Sequence, residues 1–159
     1  MTIDTGIVGW REWVRLPALG IPAIKAKVDT GAKTSSLHAF EVKLTESEGR
    51  EFVAFKIHPL RKRHDVVIEC QAPLVDRRVV RDSGGHAEER FVVASFMTLG
   101  PFELETEFTL TSRDDMIFPM LLGRRAIAAG NMLVDVNQSY VHGRVKVRDY
   151  DQMLKELDR

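Results

Sequence analysis

The sequence predicts an all-β fold: a closed or partly closed barrel with one short helix late in the chain and a second helical stretch at its end. Three observations predict it. Apolar residues recur with period two along several segments, the mark of strands with one dry face. Turn signals fall between those segments, at Glu48-Gly49, Ser83-Gly84-Gly85, Leu99-Gly100-Pro101 and Val136-Asn137-Gln138. Only Gly123 to Gly130 and Tyr150 to Arg159 read as helix. Regularly spaced strands joined by such turns argue for a barrel.

Each element has its own reason. Near the N-terminus Val8, Trp10, Val14 and Leu16 share one parity. Ile24, Ala26 and Val28 alternate with Lys25 and Lys27 and lead to Asp29. Val66 to Cys70 reads as strand, and Arg61-Lys62-Arg63-His64 before it reads as a charged loop after Pro59. Arg77 to Arg81 and Ala87 to Val93 flank the glycine-bearing turn at 82–86 and predict a hairpin. Phe102, Leu104 and Phe108 alternate with Glu103, Glu105 and Glu107. The apolar run Met120-Leu121-Leu122 closes on Gly123 and opens the short helix. In the tail, Met153, Leu154 and Leu157 form one apolar helical face.

Composition narrows the class. The chain has 159 residues, the size of one domain, with 44% hydrophobic and 29% charged residues. No linker, repeat or low-complexity stretch divides it, so residues 1–159 are read as one domain with a core at about 7–145 and a tail at 149–159. Lys plus Arg and Asp plus Glu are both 23, which disfavours a strongly basic nucleic-acid binder. The single Cys70 permits no internal disulfide and fits a reducing compartment, as a buried inert thiol. No secretory signal pattern opens the chain and no apolar run reaches membrane-spanning length, so a cytoplasmic protein with no membrane partner is expected.

The chemistry lies in Asp29-Thr30-Gly31-Ala32, read with Met120-Leu121-Leu122-Gly123-Arg124. A carboxylate placed at the end of a strand, followed by a hydroxyl and a glycine, resembles the signature of aspartic peptidases. The Leu-Leu-Gly-Arg segment resembles the second signature of the retropepsin group. With Gly9-Trp10-Arg11-Glu12-Trp13, the run from Lys27 to Ala39, and Asp82 to His86, the chain is similar, over about residues 7–145, to the bacterial family labelled "ATP-dependent zinc protease". Members of that family are retropepsin-like and often accompany a ligase that adds glutamates to a ribosomal protein. By themselves, Asp29 to Gly31 also suit an ordinary strand-ending turn.

The resemblance implies an aspartic-type peptidase. Two carboxylates share one proton because like charges so near cannot both ionise cheaply. One takes a proton from water and the other protonates the carbonyl oxygen. Asp29, Thr30 and Gly31 would form the catalytic turn, Thr30 bonding its counterpart across the site. Asp82-Ser83-Gly84 falls in a hairpin tip, so a homodimer with Asp29 contributed twice is expected. Ala32, Lys33 and Arg124 would contact substrate, as would Ser83, Gly84, Gly85 and His86 if the hairpin is a flap; the same residues suit a plain surface hairpin. Viral retropepsins usually carry an aspartate where this chain has Lys33, so Arg124 needs another partner and the cleft gains positive charge. That favours an acidic substrate, such as a glutamylated protein tail.

Neither zinc nor ATP is expected as a cofactor. There is no His-Glu-x-x-His or paired Cys-x-x-Cys, His38, His58, His64, His86 and His142 are scattered, and no Gly-Lys-Ser/Thr phosphate loop occurs. Ser35, Ser36 and His38 show no orienting acid for a nucleophile and base. A non-catalytic peptide-binding module on the same fold is the alternative, and a zinc metallopeptidase is a third.

Overall fold

The computed structural model describes residues 6–81, 84–112 and 117–157. Its elements are β1 (Ile7–Val8), β2 (Arg11–Leu16), β3 (Ile21–Val28), β4 (Ser35–His38), β5 (Phe40–Ser47), β6 (Arg50–Ile57), β7 (Ile68–Arg81), β8 (Ala87–Leu99), β9 (Phe102–Thr111), β10 (Met120–Leu122), α1 (Arg124–Ala129), β11 (Leu133–Val134) and α2 (Tyr150–Leu157). Short 3-10 turns follow β2 and precede α2.

Six strands close a barrel in the order β2-β3-β10-β4-β9-β8, and the Arg15–Thr98 pairing returns β8 to β2. The inward parity of each strand fills it. Val14, Ile24, Leu37, Met97, Phe108 and Met120 are fully buried. Each such side chain contributes roughly 1.5–3 kcal/mol by leaving water. The alternation that sequence assigns to β3 and β9 is the one observed.

Beyond the barrel, β7, β6 and β5 extend the sheet. The β5–β6 hairpin turns on Glu48 and Gly49 with φ of 52° and 78°. Positive φ at both central residues is the turn whose twist matches paired strands. β7 and β8 form a long hairpin that pairs Leu74 with Val93, shifts register before Asp76–Val92, and runs on to Arg81–Ala87. Its tip residues Asp82 and Ser83 lie outside the described residues.

Two details differ from expectation. β7 begins at Ile68, so Val66 and Val67 belong to the preceding turn, where the Val66 N–H bonds the Arg63 carbonyl. The tail helix is anchored less by Met153, Leu154 and Leu157 than by Tyr150, which is fully buried and donates its hydroxyl to the Ala23 carbonyl at 2.6 Å. Burial raises the phenol's pKa above its ordinary value. A hydroxyl that finds a buried acceptor lets the whole ring join the core. Among the described residues, no helix is long and apolar enough to cross a membrane.

Candidate active site

Asp29 follows the last residue of β3, and the topology frames it. β10 lies between β3 and β4, parallel to the first and antiparallel to the second. The chain therefore leaves β3, turns through residues 29–34, and returns as β4 on the far side of β10. The Asp29 N–H donates to the Leu122 carbonyl at 2.9 Å, and the Val28 N–H donates to the Trp10 carbonyl at 2.8 Å.

The turn is held by its own aspartate. Asp29 Oδ1 accepts from the Gly31 N–H at 3.0 Å and from the Ala32 N–H at 3.2 Å. The described residues give Oδ2 no hydrogen bond and Asp29 no ion pair. A Cβ on Gly31 would stand 3.3 Å from Oδ1, so glycine leaves the carboxylate uncrowded. Asp29 is half-buried, whereas Thr30, Gly31 and Lys33 are exposed.

The second motif locks onto the first. The Gly123 N–H donates to Ser35 Oγ at 2.9 Å. The Arg124 and Arg125 N–H groups donate to the Ala32 and Lys33 carbonyls at 2.7 and 3.1 Å. These N–H groups open α1 and have no partner within it, so the turn's carbonyls satisfy them. A Cβ on Gly123 would lie 2.5 Å from the Thr34 carbonyl carbon, which explains the glycine. Arg124 finds its partner in the Thr30 carbonyl, to which Nη1 donates at 3.1 Å. The long hairpin joins further along. Arg78 of β7 donates to Thr34 Oγ1 at 3.4 Å and bonds Asp76 at 2.9 Å and Glu107 at 3.1 Å. Asp76 is held below the usual carboxylate range by the Arg78 guanidinium, then by the Arg77 N–H.

The other expected site residues are placed as follows. Ala32, Lys33 and Arg124 belong to the Asp29 turn and its partner. Gly84, Gly85 and His86 sit at the exposed end of the hairpin, with Gly85 at φ 84°. Ser83 lies outside the described residues. Ser35 is spent on Gly123, and Ser36 points from the opposite face of its strand. Among the described residues, no group of three or more His, Cys, Asp or Glu side chains that could hold a metal ion is found. His64 stacks against His58, whose ring lies on Phe40.

One supporting residue escaped sequence reasoning. Glu12 is fully buried, and its carboxylate accepts the N–H groups of Gly9 at 2.7 Å, Val141 at 3.0 Å and His142 at 3.3 Å. It ties the strand that supports Asp29 to the segment before α2. The signal was present: a lone charge on the apolar parity of Val8, Val14 and Leu16. The tripeptide also occurs as Asp4-Thr5-Gly6, of which Asp4 and Thr5 lie outside the described residues.

A six-stranded barrel in which one strand threads between the two flanking an Asp-Thr-Gly turn defines the retropepsin-like class. Within it, the chain belongs to the RimB-like family, described as "Retropepsin-like aspartic endopeptidase RimB", whose match covers residues 7–145. A Legionella pneumophila protein of unknown function has a similar structure, with a TM-score of 0.74 and 27% identity, over 88% of this chain and all of that one. Curated relatives carry a different name, "Probable alpha-L-glutamate ligase". The one from Shewanella halifaxensis is 42% identical over 153 residues, 96% of this chain and 33% of the relative. The one from Desulfotalea psychrophila is 47% identical over 121 residues, 76% of this chain and 26% of the relative. This chain thus spans about a third of the length of the curated relatives it matches.

Proposed function

We propose that this chain is an aspartic peptidase in which Asp29 is the water-activating acid and base. The observation that carries the reading is the state of that carboxylate. One oxygen is fixed by two backbone N–H groups and the other is left to an incoming group. A second carboxylate completes the chemistry, and the symmetric source is Asp29 of a second copy, with Thr30, whose hydroxyl has no partner among the described residues, bonding across the interface. The ionised member takes a proton from water as its oxygen attacks the peptide carbon. The neutral member protonates the carbonyl oxygen. Collapse breaks the C–N bond and returns a proton to the amine.

The substrate is a glutamate-bearing chain. Two features support this: the exposed cations Lys33 and Arg124 beside the turn, and relatives named "Probable alpha-L-glutamate ligase" that carry a segment like this one in about a third of their length. Positive potential at the cleft speeds capture of an acidic chain and fades with salt.

The test is hydrolysis of a glutamate-rich peptide by wild type and Asp29→Asn. Asparagine keeps the shape and cannot act as base, so the rate should fall by at least about three orders of magnitude while the fold survives. Specific activity of the wild type should fall on dilution as dimers dissociate. Wild-type turnover by a folded Asp29→Asn protein would end the proposal. A fully active monomer would move the second acid to Asp4, Asp82, Asp114 or Asp115, all outside the described residues.

A further inference from the structure

A groove of about 380 Å³ opens on the outer face of β2 and β3, between those strands and the loops at 59–63 and 117–119. Its lining contributes five cations and, among the described residues, no carboxylate. In a chain of net charge zero this is a marked local imbalance. Among the described residues, Arg63 is the one lining cation with an ion pair, bonded to Asp65 at 2.7 Å and near Asp151 at 3.7 Å.

Two of the other cations are held in place without neutralisation. The Arg11 guanidinium lies between the Trp10 and Tyr140 rings, 4.5 and 4.8 Å from their centroids, and donates to Ser139 Oγ at 3.2 Å. Lys25 Nζ stands 5.4 Å from the Trp13 ring and 5.6 Å from Tyr140. Aromatic faces orient these charges and leave them available to an anion. Arg61 and Lys62 are exposed and make no ion pair among the described residues. Apolar surface lies beside them: Ile117 is 56% exposed and Val147 42%.

We propose that this groove is a second binding site, outside the cleft, for an acidic peptide segment. Carboxylate side chains meet Arg11, Lys25, Arg61 and Lys62, and intervening apolar side chains rest on Ile117 and Val147. A peptide fits better than RNA. The Trp13 face carries Lys25 at 5.4 Å and the Trp10 face carries Arg11 at 4.5 Å, so a base stacking on either face must displace a cation. Lys25 lies on β3 four residues before Asp29, about 13 Å away at the rise of a β-strand, so one extended chain of several residues can span groove and cleft. The groove's use in holding substrate rests on the peptidase reading; its binding chemistry does not.

The experiment therefore reads binding apart from turnover. Fluorescence anisotropy of a labelled ten-residue glutamate-rich peptide is measured on Asp29→Asn protein, with and without Arg61→Glu and Lys62→Glu together. Both are exposed loop residues, so the fold should be kept, and circular dichroism checks it. The charge reversal should weaken binding at least tenfold, rising salt should weaken the parent, and a glutamine peptide of equal length should bind at least tenfold more weakly. Unchanged affinity in the reversed protein would overturn the proposal. So would a single-stranded RNA of equal charge binding more tightly than the peptide. Intact groove binding by a wild type that hydrolyses nothing would sustain this inference while removing the peptidase reading.

Discussion

Replacing Glu12 should unfold the support beneath the Asp29 turn, and the size of the effect follows from its bonds. Three backbone N–H groups converge on one fully buried carboxylate, at 2.7, 3.0 and 3.3 Å. A hydrogen bond to a charged group contributes about 1.5–3 kcal/mol, and a buried N–H stripped of its acceptor costs about 1–3 kcal/mol. The 3.3 Å bond counts for little. Glu12→Ala should therefore cost roughly 3–6 kcal/mol, a large part of the ~5–15 kcal/mol that holds a domain together. At about 2–4 °C per kcal/mol for a chain of this size, the midpoint of thermal unfolding should drop by roughly 6–24 °C. Glu12→Gln keeps one carbonyl oxygen but turns an amide N–H₂ toward N–H donors, and should cost about half as much. Urea unfolding of both variants gives the numbers. A loss below about 1 kcal/mol for Glu12→Ala would mean that water takes over the three donors and that the carboxylate is no clamp.

Other outcomes follow from the same packing. Gly123→Ala should destabilise by about 1–3 kcal/mol, because its Cβ would overlap Thr34 and Ser35 backbone, which cannot swing aside; equal urea midpoints for the two proteins would contradict the interlock of the two motifs. Burial pushes the Cys70 thiol up to about 12 from 9.0, so native protein should resist a thiol reagent at pH 8 and react once unfolded. A raised folded pKa gives stability that is full below about pH 9 and is lost as pH climbs toward about 12. Cys70→Ala should flatten that alkaline decline, and an unchanged slope would assign it elsewhere.

By itself the sequence determined whatever is written locally. The period of two placed β3 and β9 and their inward faces, because side-chain direction alternates by covalent geometry alone. Glycine-bearing turns announced the hairpins at 48–49 and 82–86, and Gly123 to Gly130 bracketed α1. The candidate acid could be read for the same reason: strand, aspartate, hydroxyl and glycine are consecutive. Only the tertiary structure decided what depends on distant partners. β10 enters between β3 and β4 through pairings some ninety residues apart, Met120 with Ala26 and with Leu37, and no local pattern encodes that order. Arg124 settles on the Thr30 carbonyl because α1 starts beside the turn. Glu12 is tolerated in the core because Val141 and His142 bring their N–H groups to it from the far end of the chain. A buried polar group is stable only with its donors in place, and for Glu12 two of the three donors come from folding, not from sequence neighbours.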